Sequence, residues 1–150
     1  MGQKAQRIGK LAEQLVNTSL NMLDCWWSAT WPEVIIFKRG AKVTGKAMPD
    51  RLCFYGGNTY VFEIKTWEAK DQHRLTKRIH QYHQMVDITP HLLDNGKCFY
   101  LVWWRWKGVE EWRLHPLAHL QEVNGGVIFK RDEGIQIDCN GDLPLWWKAV

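Results

Sequence analysis

Residues 49–65 read PDRLCFYGGNTYVFEIK and predict a β-hairpin. Two runs rich in aromatic and branched side chains, Arg51–Tyr55 and Thr59–Lys65, stand on either side of Gly56-Gly57-Asn58. Glycine pairs of this kind are typical of the tight turns that join antiparallel strands. Such a turn brings the start of the first strand back alongside the end of the second, so the two ends of the stretch are expected to meet.

Charged side chains lie at both of these ends. Glu63 and Lys65 project from one face of the second strand, because side chains alternate with a period of two, and Asp50 precedes the first strand. The two carboxylates and the main-chain carbonyl of Ile64 are hard oxygen ligands suited to Mg²⁺, for which Mn²⁺ is a substitute. Lys65 is placed to orient or help deprotonate a water, or to offset charge in a transition state. The set is suited to metal-assisted hydrolysis of phosphodiesters.

Length and composition predict one folded domain over residues 1–150, since the chain has 150 residues of which 45% are hydrophobic. Its longest uncharged apolar runs, Val34–Phe37 and Cys98–Trp104, are far shorter than the ~20 residues of a membrane-spanning helix, and the first residues do not form an apolar signal region. The four cysteines are widely spaced, which is typical of reduced thiols. We therefore expect a cytoplasmic protein with no membrane partner.

Positive charge is concentrated in the first half of the sequence. Residues 1–78 hold thirteen Lys and Arg against seven Asp and Glu, whereas residues 79–150 hold seven against nine, for a net charge of +4. This asymmetry indicates one surface that faces a polyanion such as nucleic acid. The ten tryptophans are interpreted mainly as core and interface residues and not as stacking platforms for bases.

The order of predicted elements is that of an α/β or α+β protein with a mixed sheet. An amphipathic helix over residues 4–23 comes first, and a second helix, with a kink at Thr89-Pro90, runs from Lys77 to about Asn95. Cys98–Trp106 is apolar on both faces, which predicts a central strand. The remaining predictions are a strand at Val34–Phe37, a basic loop at Lys38–Lys46, a strand at Glu110–Leu114, a short helix at Pro116–Val123, and late strands at Val127–Phe129 and Gly134–Ile137.

Pro49-Asp50 followed by Glu63-Ile64-Lys65 resembles the signature of PD-(D/E)XK nucleases. The stretch from Asp50 to about Leu120 is more narrowly similar to the RecU-type Holliday-junction resolvases. Their Phe-Glu-x-Lys strand corresponds to Phe62–Lys65, their helix with an Ile-x-x-x-His-Gln element to Ile79–Gln84, and their glycine before an apolar strand to Gly96.

The resemblance implies a restriction-endonuclease-like core, in which a central mixed β-sheet is flanked by helices. It also implies a Mg²⁺-dependent endonuclease that selects branched DNA and resolves four-way junctions by paired symmetric nicks, in a bacterial or phage-infected cell. Two further site residues follow from it. Glu13, which lies at the border of the apolar stripe of the first helix, corresponds to a metal-site Glu of the family, and Gln84 corresponds to a Gln near the active site.

The stalk that RecU-type proteins insert into the junction is missing here, and its place is taken by the short segment Phe37–Met48. Junction selection is therefore assigned to basic residues of this segment and of the first helix. The predicted DNA contacts are Lys4, Arg7, Lys10, Lys38, Arg39, Lys42, Lys46, Thr66, Lys70, Arg74, Lys77 and Arg78.

Two other functions remain open beside the resolvase. One is a restriction- or repair-type nuclease on linear duplex DNA, and the other is a catalytically idle DNA-binding module of the same fold. A homodimer is also expected, because a twofold enzyme matches a twofold junction. The apolar mass of Cys98–Trp106, Trp112 and Trp146-Trp147 is interpreted as a subunit interface.

Overall fold

The computed structural model describes residues 2–23, 25–29, 34–37, 40–43, 49–92 and 97–137. Within these ranges the chain forms two α-helices and eleven β-strands. The helices are α1 (Gln3–Asn21) and α2 (Ile79–Ile88). The strands are β1 (Trp26–Ser28), β2 (Val34–Phe37), β3 (Gly40–Val43), β4 (Arg51–Tyr55), β5 (Asn58–Glu68), β6 (Gln72–Leu75), β7 (Lys97–Trp106), β8 (Val109–Pro116), β9 (Glu122–Val123), β10 (Gly126–Lys130) and β11 (Ile135–Ile137).

A six-stranded sheet with the order β1-β4-β5-β7-β8-β11 forms the centre of this part of the chain. Strands β5 and β7 run parallel and the other neighbours antiparallel, so the sheet is mixed, as the sequence predicts. Helix α2 lies in the connection between β5 and β7, because a parallel pair requires a long crossover. Strands β6, β10 and β9 form a second sheet, and β2 pairs with β3.

Both faces of the central sheet are covered. On one face, Ala12, Val16 and Leu20 of α1 pack against apolar side chains of the sheet that include Phe62 and Phe99. On the other face, α2 and the second sheet cover apolar side chains of β5 and β7. We call these the α1 face and the α2 face. Strand β7 contributes buried residues to both, which confirms the predicted central strand.

Two of the three tryptophans of β7, Trp103 and Trp104, are buried within one chain, whereas Trp106 at the end of the strand is 41% exposed. Trp103 stacks on Trp112 at 5.5 Å between ring centroids on the α1 face, and Trp104 is buried on the α2 face. These residues are core, as predicted, and they need no second subunit to cover them. Trp103, Trp104 and Trp112 are therefore not available to a subunit interface, Trp106 stays exposed, and Trp146-Trp147 lie outside the described residues. The homodimer itself stays a prediction.

The second helix is shorter than the predicted Lys77–Asn95. Arg78 has a φ of 58°, in the left-handed region, so the right-handed helix begins only after it. Helix α2 ends at Ile88, and a 3₁₀ turn, Thr89–His91, follows where the kink was predicted. Proline lacks the N–H that would continue an α-helix beyond this point.

The short helix predicted at Pro116–Val123 is wrong. Only a 3₁₀ turn forms there, at Leu117–His119, and β9 follows it. Asn124 and Gly125, with φ values of 52° and 75°, join β9 to β10 in a two-residue hairpin turn, for which Asn-Gly is the strongest sequence signal. Strands β8, β10 and β11 agree with the predicted strands.

The predicted basic loop Lys38–Lys46 is in part a strand. Residues Gly40–Val43 form β3, which pairs with β2, so Lys42 lies in a hairpin. Lys38, Arg39 and Lys46 lie outside the described residues. Neither of the two described helices is long and apolar enough to cross a membrane.

Candidate active site

The predicted hairpin brings Asp50 and Glu63 into direct contact. The last residue pair between β4 and β5 is Arg51 with Phe62, so Asp50 lies next to Glu63 just beyond the end of β4. The amide of Asp50 donates to Oε1 of Glu63 at 3.1 Å, and the amide of Ile64 donates to Oδ2 of Asp50 at 2.8 Å. Each carboxylate therefore accepts one backbone N–H from the other's strand, which fixes both carboxylates relative to each other.

The main-chain carbonyl of Ile64 points to the same edge of β5 as Asp50. The N–H and C=O of one strand residue point to the same neighbouring strand. Because the N–H of Ile64 points to Asp50, its carbonyl also points to the side of β5 that β4 has left open. The three predicted oxygen ligands, from Asp50, Glu63 and Ile64, are thus brought together by the end of one strand.

Glu63 is held in an environment that disfavours its charge. Its side chain is only 1% exposed. Burial, and then the neighbouring Asp50 carboxylate, raise the pKa of Glu63 to about 8, and the nearby Lys65 opposes this only in part. A cation beside the two carboxylates would offset both causes of the raised pKa.

This donor set fits a magnesium-type ion. Two carboxylates and a carbonyl supply few protein ligands, and Mg²⁺ retains several waters and shares the remaining positions with phosphate oxygens. The described residues contain no group of three or more His, Cys, Asp or Glu side chains that could form a fuller metal cage. The site therefore suits a hard ion that keeps water, and Asp50, Glu63 and Ile64 would hold it.

Lys65 lies beside the acidic pair and is held from two directions. Its Nζ is 3.7 Å from Oε2 of Glu63 and donates to Oε1 of Gln81, on α2, at 2.8 Å. Gln81 was not among the predicted site residues. The helix contains His-Gln twice, at His80-Gln81 and His83-Gln84, and the start of α2 at Ile79 decides which glutamine reaches Lys65.

Gln84, the glutamine that the resemblance selects, does not accept a hydrogen bond from Lys65. It is half-buried, and its Oε1 is buried without a hydrogen-bond partner among the described residues. Gln84 therefore remains a candidate for another role in the site, whereas the contact with the lysine belongs to Gln81.

Among the described residues, Arg51 is the link between Glu13 and the site. Oε1 of Glu13 lies 3.8 Å from the guanidinium of Arg51, which donates to the carbonyl of Asp50 at 2.8 Å and to Oδ1 of Asn17 at 3.0 Å. Arg51 is buried, and sequence reasoning missed it because its role depends on α1 packing beside β4. Direct ligation by Glu13 stays a prediction.

Six of the predicted DNA contacts form two exposed groups. Lys4, Arg7 and Lys10 are exposed on α1, whereas Lys70, Lys77 and Arg78 are exposed between β5 and α2. Thr66 follows Lys65 in β5, so its side chain projects from the opposite face of the sheet, the α1 face.

Arg74 is occupied within the protein. Its guanidinium donates to the carbonyls of Val123 and Asn124 at 3.3 and 2.8 Å, and a Cβ at Gly126 would lie 2.6 Å from its Nε. Arg74 therefore holds the turn between β9 and β10 in place.

The fold is similar to that of a solved Holliday junction resolvase. The structure of Hjc from the archaeal hyperthermophile Archaeoglobus fulgidus matches with a TM-score of 0.53 and 14% sequence identity, over 90% of this chain and 95% of that chain. No protein-family model and no curated protein matches this chain. The narrower likeness to RecU-type resolvases is not confirmed. The predicted fold class is confirmed, because the chain and the resolvase share a central mixed sheet flanked by helices.

Proposed function

We propose that this protein is a metal-dependent DNA endonuclease that hydrolyses phosphodiester bonds, with four-way junctions as its substrate and Mg²⁺ or Mn²⁺ as its cofactor. The observation that carries the proposal is the contact between Asp50 and a Glu63 that is 1% exposed. Two neighbouring carboxylates, one of them buried, destabilise a protein that has no cation beside them. With a bound cation, the same two carboxylates form a site suited to phosphodiester hydrolysis. The fold similarity to a resolvase supports the same class of reaction.

Each residue has a separate part in this reaction. Asp50, Glu63 and the carbonyl of Ile64 would hold the metal ion, and Arg51 fixes the backbone of Asp50 through its carbonyl. When bound, such an ion would supply a Lewis acid for a phosphate oxygen and would lower the pKa of a water. Water attacks phosphorus and gives up one proton as the new P–O bond forms, the P–O bond to the leaving oxygen breaks, and that oxygen takes up one proton, so the reaction consumes one water.

Lys65 orients the attacking water and offsets the negative charge that builds up on the phosphate. Gln81 is a positioning residue, because it accepts a hydrogen bond from Nζ of Lys65 at 2.8 Å and leaves the other two N–H groups of that nitrogen for substrate and water.

Branched DNA is proposed as the substrate because exposed basic residues occur on several separate parts of the chain. The residues on α1, between β5 and α2, and in the basic segment Lys38–Lys46 can follow phosphates that converge at a branch point. A homodimer would place two such sites for two symmetric nicks.

Cleavage of a synthetic four-way junction and of a linear duplex with Mg²⁺ tests this proposal. Wild type should nick the junction, and Asp50→Asn and Glu63→Gln should abolish nicking while they retain or improve DNA binding, because a negative charge leaves the phosphate site. Glu68→Gln, which changes an exposed carboxylate at the end of the same strand, is the matched control and should cleave as wild type does.

The same assay separates the alternatives. Equal cleavage of duplex and junction identifies a restriction- or repair-type nuclease. Binding without metal-dependent cleavage by wild type identifies an idle module. Normal turnover by Glu63→Gln contradicts the assigned site. Neutralising Lys38, Arg39, Lys42 and Lys46 together should reduce affinity for the junction more than affinity for the duplex.

A further inference from the structure

Tyr100 lies directly beside the acidic site. It is the partner of Glu63 in the parallel register of β5 and β7, so the two side chains project from the same face of the sheet about 4.8 Å apart at the backbone. Tyr100 is fully buried, and its hydroxyl has no hydrogen-bond partner among the described residues. A buried hydroxyl without a hydrogen-bond partner lowers the stability of the folded protein by about 1–3 kcal/mol, so a ligand that bonds to it would be favoured.

The hydroxyl of Tyr100 is a hydrogen-bond donor. Burial raises its pKa, and the charges of Glu63, Tyr82 and Asp50 raise it further, so the proton stays on the oxygen. Orphaned polar atoms also occur on the α1 face, at Ser19 and Trp112. Tyr100 differs from them because it is paired with a carboxylate of the acidic site.

A second buried polar atom without a hydrogen-bond partner, Oε1 of Gln84, lies on helix α2, which covers this face of the sheet. Helix α2 runs antiparallel to β5, since Gln81 contacts Lys65 near the end of β5 and Thr89 contacts Cys98 near the start of β7. Gln84 lies one turn after Gln81, about 4.5 Å along the helix. It is therefore near the level of Glu63 and Tyr100, where a donor and an acceptor both lack partners.

We propose that Tyr100 and Gln84 are positioning residues that hold a water molecule beside Glu63, as part of the hydration shell of the divalent cation. The inference rests on the proposed function. Water suits the place because it can accept from the hydroxyl of Tyr100 and donate to Oε1 of Gln84 and to a carboxylate. An ion with few protein ligands depends on such outer contacts for its affinity.

Binding of Mn²⁺, measured by calorimetry in the absence of DNA, tests the inference without relying on cleavage. Tyr100→Phe removes only the hydroxyl and should weaken Mn²⁺ binding about tenfold or more. Its melting temperature in EDTA should not fall, because the hydroxyl has no protein partner to lose. Tyr82→Phe is the matched control, because the hydroxyl of Tyr82 donates to the carbonyl of Leu120 at 3.4 Å. The Tyr82→Phe protein should bind Mn²⁺ with wild-type affinity.

Wild-type affinity in Tyr100→Phe would overturn the inference. Gln84→Met, which removes the acceptor and keeps the length of the side chain, should weaken binding in the same direction and provides a second variant if Tyr100→Phe does not fold. Asp50→Asn separates the two proposals. If it abolishes Mn²⁺ binding while Tyr100→Phe does not weaken it, only the inference fails. If wild type binds no Mn²⁺, both fail.

Discussion

The two faces of the central sheet are built from the same strands but perform different tasks. On the α1 face, Phe62 stacks on Phe99 at 4.9 Å between ring centroids, in an apolar cluster. On the α2 face, the alternate residues Glu63 and Lys65 place charges in the interior. Because side chains alternate along a strand, Glu63 and Lys65 of β5 lie on the α2 face between the buried Val61 and Trp67, whereas the buried β5 residues of the α1 face are apolar. Changes on the two faces should therefore separate stability from activity.

The largest expected effect is on stability, from Phe99→Ala on the α1 face. Loss of a fully buried aromatic ring should lower the free energy of unfolding by about 3–5 kcal/mol, in urea or guanidinium titrations. The fraction that remains folded should bind Mn²⁺ with wild-type affinity. Phe99→Leu gives a smaller loss if Phe99→Ala does not fold. Loss of Mn²⁺ binding by a folded Phe99 variant would show that the two faces are not separable.

A comparable effect on rate is expected from Lys65→Met on the α2 face. The change removes the charge that offsets the transition state, so single-turnover cleavage should slow about 10²–10³-fold while DNA binding persists. Gln81→Met should give a smaller loss of rate, because the lysine remains but is less well placed. The exposed Lys70 offers the control, and a Lys70→Met variant that is equally slow would mean that Lys65 has no special part.

Glu63 should make the metal-free protein less stable as the pH rises. Its pKa in the folded state is about 8 against an ordinary value of 4.5, so its contribution to stability is present below pH 4.5 and is lost as the pH rises towards 8. Glu63→Gln should therefore be more stable than wild type in EDTA, by about 1–2 kcal/mol at pH 8, and by less at pH 6. Mg²⁺ should remove the difference. An equal difference in unfolding free energy at every pH would mean that the surroundings of Glu63 do not raise its pKa.

The smallest expected effect distinguishes two exposed basic residues. Lys70→Gln should reduce the slope of log affinity for DNA against log salt by roughly 0.9, as expected for one lost phosphate contact. Arg74→Gln should leave the slope unchanged and lower the melting temperature, because its guanidinium is bound to the turn at Val123 and Asn124. The opposite pattern would reverse the assignment of these two residues.

The acidic pair could be predicted from the sequence because its geometry is local. A glycine turn and a period of two place Asp50 beside Glu63 and Lys65 without knowledge of any other element. Arg51 and Gln81 could not be identified in this way. Their roles depend on how α1 packs beside β4 and on the residue at which α2 begins, and a left-handed Arg78 sets that start.

The second sheet and Tyr100 depend on contacts between distant parts of the chain. Strand β10 is predicted from the sequence, but its partner β6 is a short strand about fifty residues away that carries no periodic signal of its own, so the pairing is not predicted. The position of Tyr100 opposite Glu63 follows from the register of a parallel pair, which is fixed by the crossover through α2. Neither feature can be obtained from the spacing of residues within one segment.

A crystal structure with Mn²⁺ is the most direct test of the central claim, because the anomalous signal of the ion locates it independently of the protein. We predict a peak about 2.0–2.2 Å from carboxylate oxygens of Asp50 and Glu63 and from the carbonyl oxygen of Ile64. The peak should be absent from the Asp50→Asn protein. No peak at these three residues in wild type, or an equal peak in Asp50→Asn, would contradict the assignment of the end of β5 as a metal-dependent active site.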